Sequence, residues 1–534
     1  MTRQVLISFF ALSLAIVSCT QKPKPTEEAT EQGILLIGNG EEPNSLDPHI
    51  ASSVAEAHVL YSLFEGLVSP HPDDPNRIAP GAASDWEYDS ESNRYIFNLR
   101  SDALWSDGSP VTAYDFQRSV QRALGSKFGT SYPEMFFDLK NAEAYFQNKI
   151  SNFELVGINA TSDHTVEIEL EKPSPHFLQK LKHFSWLPVP IDSIQKSGDW
   201  KSRSTRWATQ ETIVSNGPFM LQNWSRNSVI EVSKNNLYWD SENVSLNGIR
   251  FFPYENAQVE YRAFQSGQLH VTDKIPTEEL GQMTSDSSKQ QSDPFLATSY
   301  LILNTASEKL HNHSLREALA RAIDKESLVN DINQSGKPAY SFTPPGLANY
   351  KLPSSYKYNP EKARQLIREA FPNPDDIPQL SILVSNIPAS KAIGETLQAM
   401  WAETLGLEIE LRNMEAKTLF SSLNSGDFDI SYLTWSGDYE DPIAFLDLWK
   451  SQNAKNRARW SSPEFDKLLD VAETGLESRM DLLSEAETIL LNESPIIPLI
   501  WKTKDYCIDE QVSNWMPALL DMRNYKHIRL VPSP

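Results

Sequence analysis

The 534-residue chain holds only two cysteines, Cys19 and Cys507, which leaves no disulfide framework and no zinc or iron–sulfur cluster built on cysteine. Positive charge is scarce, with 48 Lys and Arg against 71 Asp and Glu and a formal net charge of −23. Binding a nucleic-acid backbone needs clustered cations that displace counterions, so this balance argues against a nucleic-acid partner. The apolar run Val5 to Val17, broken only by Ser8 and Ser13, is too short to span a bilayer. Catalytic groupings are missing too. None of the ten histidines forms an i, i+4 pair around a glutamate, no serine sits in a nucleophile elbow, and Gly38-Asn39-Gly40 lacks the third glycine of a pyrophosphate cradle. Adjacent carboxylates such as Glu41-Glu42 and Asp73-Asp74 point apart on polar stretches and stay solvated. Internal repeats are absent, which removes solenoids and propellers. Together these gaps lower the enzyme reading, and no metal or cofactor is expected.

What is present is a long chain of ordinary globular composition. At 40% hydrophobic and 22% charged residues, neither disorder nor a membrane bundle fits, and the length calls for two or three domains. Residues 1–18 read as an export signal with Arg3 ahead of the apolar run. Ile16-Val17-Ser18-Cys19 resembles the lipobox of bacterial lipoproteins, which implies removal of residues 1–18 and lipidation of Cys19. Residues 19–32 are polar with two prolines and no apolar periodicity, so they read as a flexible tether.

From Ile34 onward strand-like and helix-like segments alternate, the pattern of a mixed α/β architecture. Val166 to Leu170 and Leu407 to Leu411 alternate apolar and charged residues as half-buried strands do. Thr112 with Asp115, and Ser314 with Glu317, offer capping pairs ahead of apolar residues at helical spacing. Asn359-Pro360 and Ser462-Pro463 each put a capping residue before a proline at the first helical position.

The stretch from Ala103 to Phe116 (ALWSDGSPVTAYDF) reads as a tight turn feeding a capped helix. It closely resembles the signature of the family 5 extracytoplasmic solute-binding proteins. Further matching stretches follow in the family's order: Ser45-Leu46-Asp47-Pro48-His49, Phe64-Glu65-Gly66-Leu67, Ser215 to Phe219, Lys234 to Asp240, Arg316 to Asp324 and Glu493 to Leu499. Singly, Trp105, Gly108 and Pro218 look like turn and packing residues, and only the joint order carries the inference. The resemblance implies an α/β, two-lobed periplasmic-binding-protein-like fold with an extra domain, three domains in all. Domain I would comprise 33–64, 190–289 and 506–534, domain II 65–189, and domain III, the opposite lobe, 290–505.

The segment from Asp427 to Tyr439 reads as a strand ending at Ser436-Gly437-Asp438, which stands a carboxylate at a strand end. It resembles the loop of oligopeptide and dipeptide receptors in which an aspartate three residues after a tryptophan pairs with the peptide's α-ammonium group. On that resemblance Asp438 takes the ammonium, Thr434 and Ser436 offer backbone groups to an extended peptide, Val54 pairs from the other lobe, and Trp435 and Tyr132 line pockets. Two positions depart from the pattern: Tyr432 where those receptors carry an arginine implicated in holding the peptide carboxylate, and Ala416 where they carry a tryptophan. The implied function is a monomeric receptor in the periplasm or cell envelope that delivers short peptides to the permease subunits of an ABC importer. Receptors of the family for an oligosaccharide, a nickel complex or haem are the alternative, as is a peptide-sensing or chaperone lipoprotein uncoupled from import.

Overall fold

The computed structural model describes residues 23–280, 289–332, 335–475 and 477–532, so residues 1–18, read above as an export signal, and Cys19 lie outside the described residues. Three sheets of four or more strands organise them. The first is Ile34–Gly38, Gly248–Phe252, Val229–Lys234 and Phe219–Ser225, in that spatial order. Ala83–Asp89, Arg94–Leu99, Thr165–Glu169 and Ile158–Ser162 make an antiparallel second sheet. The third has six strands: Lys337–Pro338, Ile496–Cys507, Gln290–Leu303, Ile430–Ser436, Ser381–Ser385 and Glu410–Met414.

The apolar side chains sort into two bodies. One continuous core runs from Leu35 to Phe251 and takes in Met522, Tyr525 and Ile528 from the C-terminal end. Two further cores lie on either side of the six-stranded sheet and draw on residues 296–519. The chain is therefore two lobes, and it passes from the first to the second and back. The passage is a ribbon of two antiparallel strands, Gln290–Leu303 with Ile496–Cys507, paired from Gln290↔Cys507 to Ile302↔Ile496. Its near end is stitched to the first lobe through Thr272 N–H donating to Cys507 O at 3.0 Å and Ile275 N–H to Asp505 O at 3.0 Å. The pairing breaks between Pro294 and Thr298, where proline has no N–H to give the ladder. That break lies between the lobes, where a hinge needs fewer fixed hydrogen bonds.

Several of the family-matching stretches meet in the first lobe and hold it together. Glu65 is buried and accepts from Tyr238 Oη at 2.5 Å and Trp239 Nε1 at 2.6 Å. Its own backbone exchanges two bonds with the Asn216 amide, at 3.1 and 2.8 Å. Next to Asn216, a Cβ on Gly217 would stand 2.6 Å from the Leu63 backbone, so only glycine fits that approach. Trp105 is buried, and Gly108 has φ +86, as a tight turn requires.

Three sequence expectations need correction. Residues 19–32 read as a tether, yet Pro25–Glu31 is a helix: Glu27 reaches back to Lys24 N–H at 3.0 Å, and buried Thr30 meets His270 Nε2 at 3.0 Å. A helix of two turns shows no apolar period, so docking alone reveals it. Ser314 is not the cap of its helix. His313–Arg321 starts earlier, on Asn312, whose Oδ1 accepts from Leu315 N–H at 3.3 Å. The strand expected at 407–411 is Glu410–Met414, set by its parallel register with Ser381–Ser385. The helix expected after Thr112 forms as Ala113–Ala123, and the proline-initiated ones as Pro360–Ala370 and Pro463–Ala472.

Candidate ligand cleft

The strand Ile430–Ser436 has a neighbour along its full length on one side only. Gln290–Leu303 pairs with it from Ile430 to Ser436, whereas Ser381–Ser385 reaches only Ile430 and Ser431. Past Ser431 the outer edge meets no strand among the described residues. Register decides which backbone groups point there. Gly437 N–H donates to Leu296 O at 2.9 Å, and Ala297 is opposite Ser436, so Trp435 and Leu433 direct their polar groups inward to the paired strand. By the same alternation Thr434 and Ser436 direct N–H and C=O to the open edge. The Thr434 hydroxyl lies 2.8 Å from that of Ser299, as the close side-chain spacing of a non-hydrogen-bonded pair allows.

Asp438 follows at the end of this edge. Gly437 lets the strand end pack closely there, because a Cβ would stand 2.9 Å from both Leu296 and Phe445 side chains. Burial lifts the Asp438 carboxyl to about 6, the charge of Glu134 adds to the shift, and Lys455 and Lys180 oppose it. Among the described residues no donor holds this carboxylate. It is a half-buried acid that lacks a fixed partner, so a cation brought by a ligand would relieve it.

The first lobe supplies what faces it. The Tyr132 hydroxyl donates to Ser52 O at 3.2 Å, and its ring packs edge-on against His183 and Phe184 with centroids 4.8 and 5.4 Å away. Val54 begins the helix Val54–Leu63 two residues past Ser52, and its side chain is 45% exposed. Burial and then the Asp438 charge raise the Tyr132 phenol, which places the two residues in each other's field. Trp435 is half-buried, its indole N–H donating to Ala444 O at 2.9 Å, and the Lys455 ammonium sits 5.4 Å from its ring centre. The six residues singled out from the sequence thus fall into two groups, Thr434, Trp435, Ser436 and Asp438 on one lobe and Val54 and Tyr132 on the other.

Glu134, Lys180 and Lys455 were not singled out. Glu134 follows Tyr132 by two residues, a local signal available in the sequence; the lysines lie on separate surface segments and only folding brings their charge to Asp438. Of the two departures, Tyr432 is half-buried with its phenol raised by burial, and Ala416 is exposed at the start of the helix Ala416–Ser425. Among the described residues no group of three or more His, Cys, Asp or Glu is placed to hold a metal ion, and no helix is long and apolar enough to cross a membrane.

Two lobes joined by a two-stranded ribbon, with an unpaired sheet edge and a lone acid between them, define a solute receptor. Residues 77–457 match the bacterial extracellular solute-binding proteins, family 5 middle region, and the chain belongs to that family of receptors; it is not an enzyme. The periplasmic oligopeptide-binding protein OppA of Salmonella typhimurium is 32% identical over 514 residues, spanning 93% of this chain and 92% of its own. The unliganded open form of the periplasmic murein tripeptide binding protein MppA superposes with a TM-score of 0.83 at 27% identity, covering 94% of this chain and 98% of that one. Haemophilus influenzae OppA in complex with RPPGFSPFR gives 0.72 at 26% identity, covering 94% and 99%.

Proposed function

We propose that this receptor binds short peptides in extended form between its lobes and passes them to an ABC importer. The observation that carries the reading is the conjunction at one strand end. Thr434 and Ser436 turn their backbone groups to an unpaired edge, and an unpartnered acid stands just beyond it. Backbone pairing of this kind is indifferent to side chains, and the acid would take the α-ammonium by a charge-assisted hydrogen bond. Val54 and Tyr132 would complete the site from the first lobe, and Trp435 would line a side-chain pocket. Ligand contacts to both lobes would favour the closed form, since only that form makes them all. The names of OppA and MppA and the peptide in the Haemophilus complex support peptides as the solute class.

A three-domain division is proposed with it: domain I, bearing the first sheet, domain II, bearing the second, and domain III, bearing the six-stranded one. Cys19 is proposed as the lipidated residue that ties the receptor to a membrane. Metabolic labelling with a radioactive fatty acid should mark the wild type and not Cys19→Ala; equal labelling of both would remove the anchor.

The acid predicts a pH profile. With its carboxyl at about 6 in the empty cleft, Asp438 is mostly charged at pH 7 and mostly protonated at pH 5. A bound ammonium requires the charged form, so affinity for free peptides should fall about tenfold from pH 7 to pH 5. Calorimetry with tri- and tetra-alanine should show that acid limb, and their N-acetylated forms should bind weakly with no such limb. A free peptide whose affinity is flat across this range would sink the reading.

A further inference from the structure

The three residues after Asp438 are shared between the lobes. Tyr439 lies flat against the His176 imidazole of the first lobe, ring centroids 5.1 Å apart and planes 12° from parallel. Glu440 reaches the Lys182 ammonium of the same lobe at 2.7 Å, the two side chains only 5% and 1% exposed. Asp441 turns back into the second lobe, where Arg479 grips both its oxygens at 2.8 and 2.7 Å. Lys182 is itself fixed: its ammonium donates to Pro75 O at 3.0 Å, and the Tyr61 hydroxyl donates to its carbonyl at 3.2 Å. The pair thus joins the first lobe to the segment of the second that carries Asp438.

Packing alone does not call for such a pair. Stripping water from two ions commonly outweighs their attraction, and apolar residues of like volume usually serve as well. Burial raises the Glu440 carboxyl, with Lys182 opposing the shift. What the pair adds is direction: Lys182 is anchored by the Pro75 carbonyl, and the Glu440 carboxylate, bonded to no other side chain among the described residues, is drawn to that one point.

The geometry points to Lys182 and Glu440 as positioning residues, whose ion pair at the junction of the lobes fixes the backbone that carries Asp438 to receive the ligand's cationic head. This deepens the proposed function and rests on it for the identity of the ligand. The acid thus stands on the second lobe with the next residue but one tied to the first, so ligand capture and the junction of the lobes share one segment. The charged and titratable groups around Asp438 are Glu134 and Tyr132 from the turn at Pro133–Phe136, Lys180 from the helix Phe177–Lys180, and Lys455.

The test uses the full-length protein with both charges removed, Lys182→Met with Glu440→Met, and needs no ligand for its first arm. The Asp438 carboxyl stands at about 6 when folded against a usual 3.8, so the native state binds a proton there that the unfolded chain does not. Ionisation therefore weakens the fold as pH rises through 6, and Asp438→Asn should out-melt the wild type above pH 6, with the gap closing by pH 4. In the double-methionine background the carboxylate is expected to escape to water. That gap should shrink by more than half and its midpoint should move towards pH 4. In the second arm, trialanine affinity should fall tenfold or more in the double variant and stay within about threefold in Lys182→Arg. A double variant that melts like the wild type with an unchanged gap and unchanged affinity overturns the proposal. Should the double variant not fold, Lys182→Gln with Glu440→Gln, which also removes both charges and keeps polar ends, gives the same comparison. If the wild type fails to bind trialanine, the peptide reading is what fails, and the ligand-free profile still decides the positioning role.

Discussion

Replacing Asp438 with asparagine should weaken binding of a free-amino peptide by a hundredfold or more, while the already weak binding of the N-acetylated peptide stays unchanged. The size follows from enclosure. Once the lobes shut out water, a ligand ammonium without its carboxylate is a buried, unpaired charge, and losing one partner of such a pair costs about 3 to 5 kcal/mol. The asparagine keeps the shape and a hydrogen-bonding oxygen, so the change isolates charge. Comparing both proteins with both peptide forms closes a thermodynamic cycle. A coupling near zero would mean that the ammonium does not sit at Asp438. The sign differs from that of an ordinary structural acid, for the same substitution should raise the melting temperature of the empty receptor at neutral pH. Burial holds this carboxyl at about 6, and its ionisation strains the unliganded fold.

A loss of about 3 to 5 kcal/mol from the first lobe is expected for Asp47→Ala, measured as the first-lobe transition in urea. Arg122 has a side chain of 0% exposure and Asp47 one of 4%. Its guanidinium meets the two Asp47 oxygens at 3.0 and 2.6 Å, the His49 ring at 2.9 Å, the Trp200 carbonyl at 2.7 Å and the face of Phe128 at 4.2 Å. Trp207 Nε1 donates to Asp47 at 2.9 Å. Burial works against the Asp47 charge, yet Arg122 outweighs it and holds the carboxyl below its usual range. A carboxyl depressed on folding stabilises at neutral pH and gives that up as pH falls below 3.8, so the gap between wild type and variant should narrow in acid. A loss under about 1 kcal/mol would show that water enters to solvate Arg122.

These two aspartates show what could be read from the chain and what could not. Both were visible within short family-matching stretches. The structure separates them: Asp47 is neutralised by an arginine 75 positions away, whereas Asp438 has two lysines near enough to oppose its shift and none bonded to it. Sequence spacing carries no record of which distant cation arrives. The same limit explains the misplaced cap at Ser314. Asn312 and Ser314 are both good capping residues, and the tertiary setting of the helix chose between them. Alternation is local, which is why Thr165–Glu169 lies where the pattern put it, yet the same pattern at 407–411 gave way to Glu410–Met414, whose place is set by pairing with Ser381–Ser385.

By itself, the order of residues determined the class of architecture, the helix starts at Thr112, Asn359 and Ser462, the membership of the family and the residues at the end of one strand. Each depends on neighbours a few positions apart, whose backbone preferences and side-chain periods act before the chain folds. Only the tertiary structure decided that this strand has an open edge and that Glu440 ties the acid's loop to Lys182. Those are matters of where a neighbouring strand stops and which charge crosses between lobes, and they are settled by packing between segments distant in the sequence.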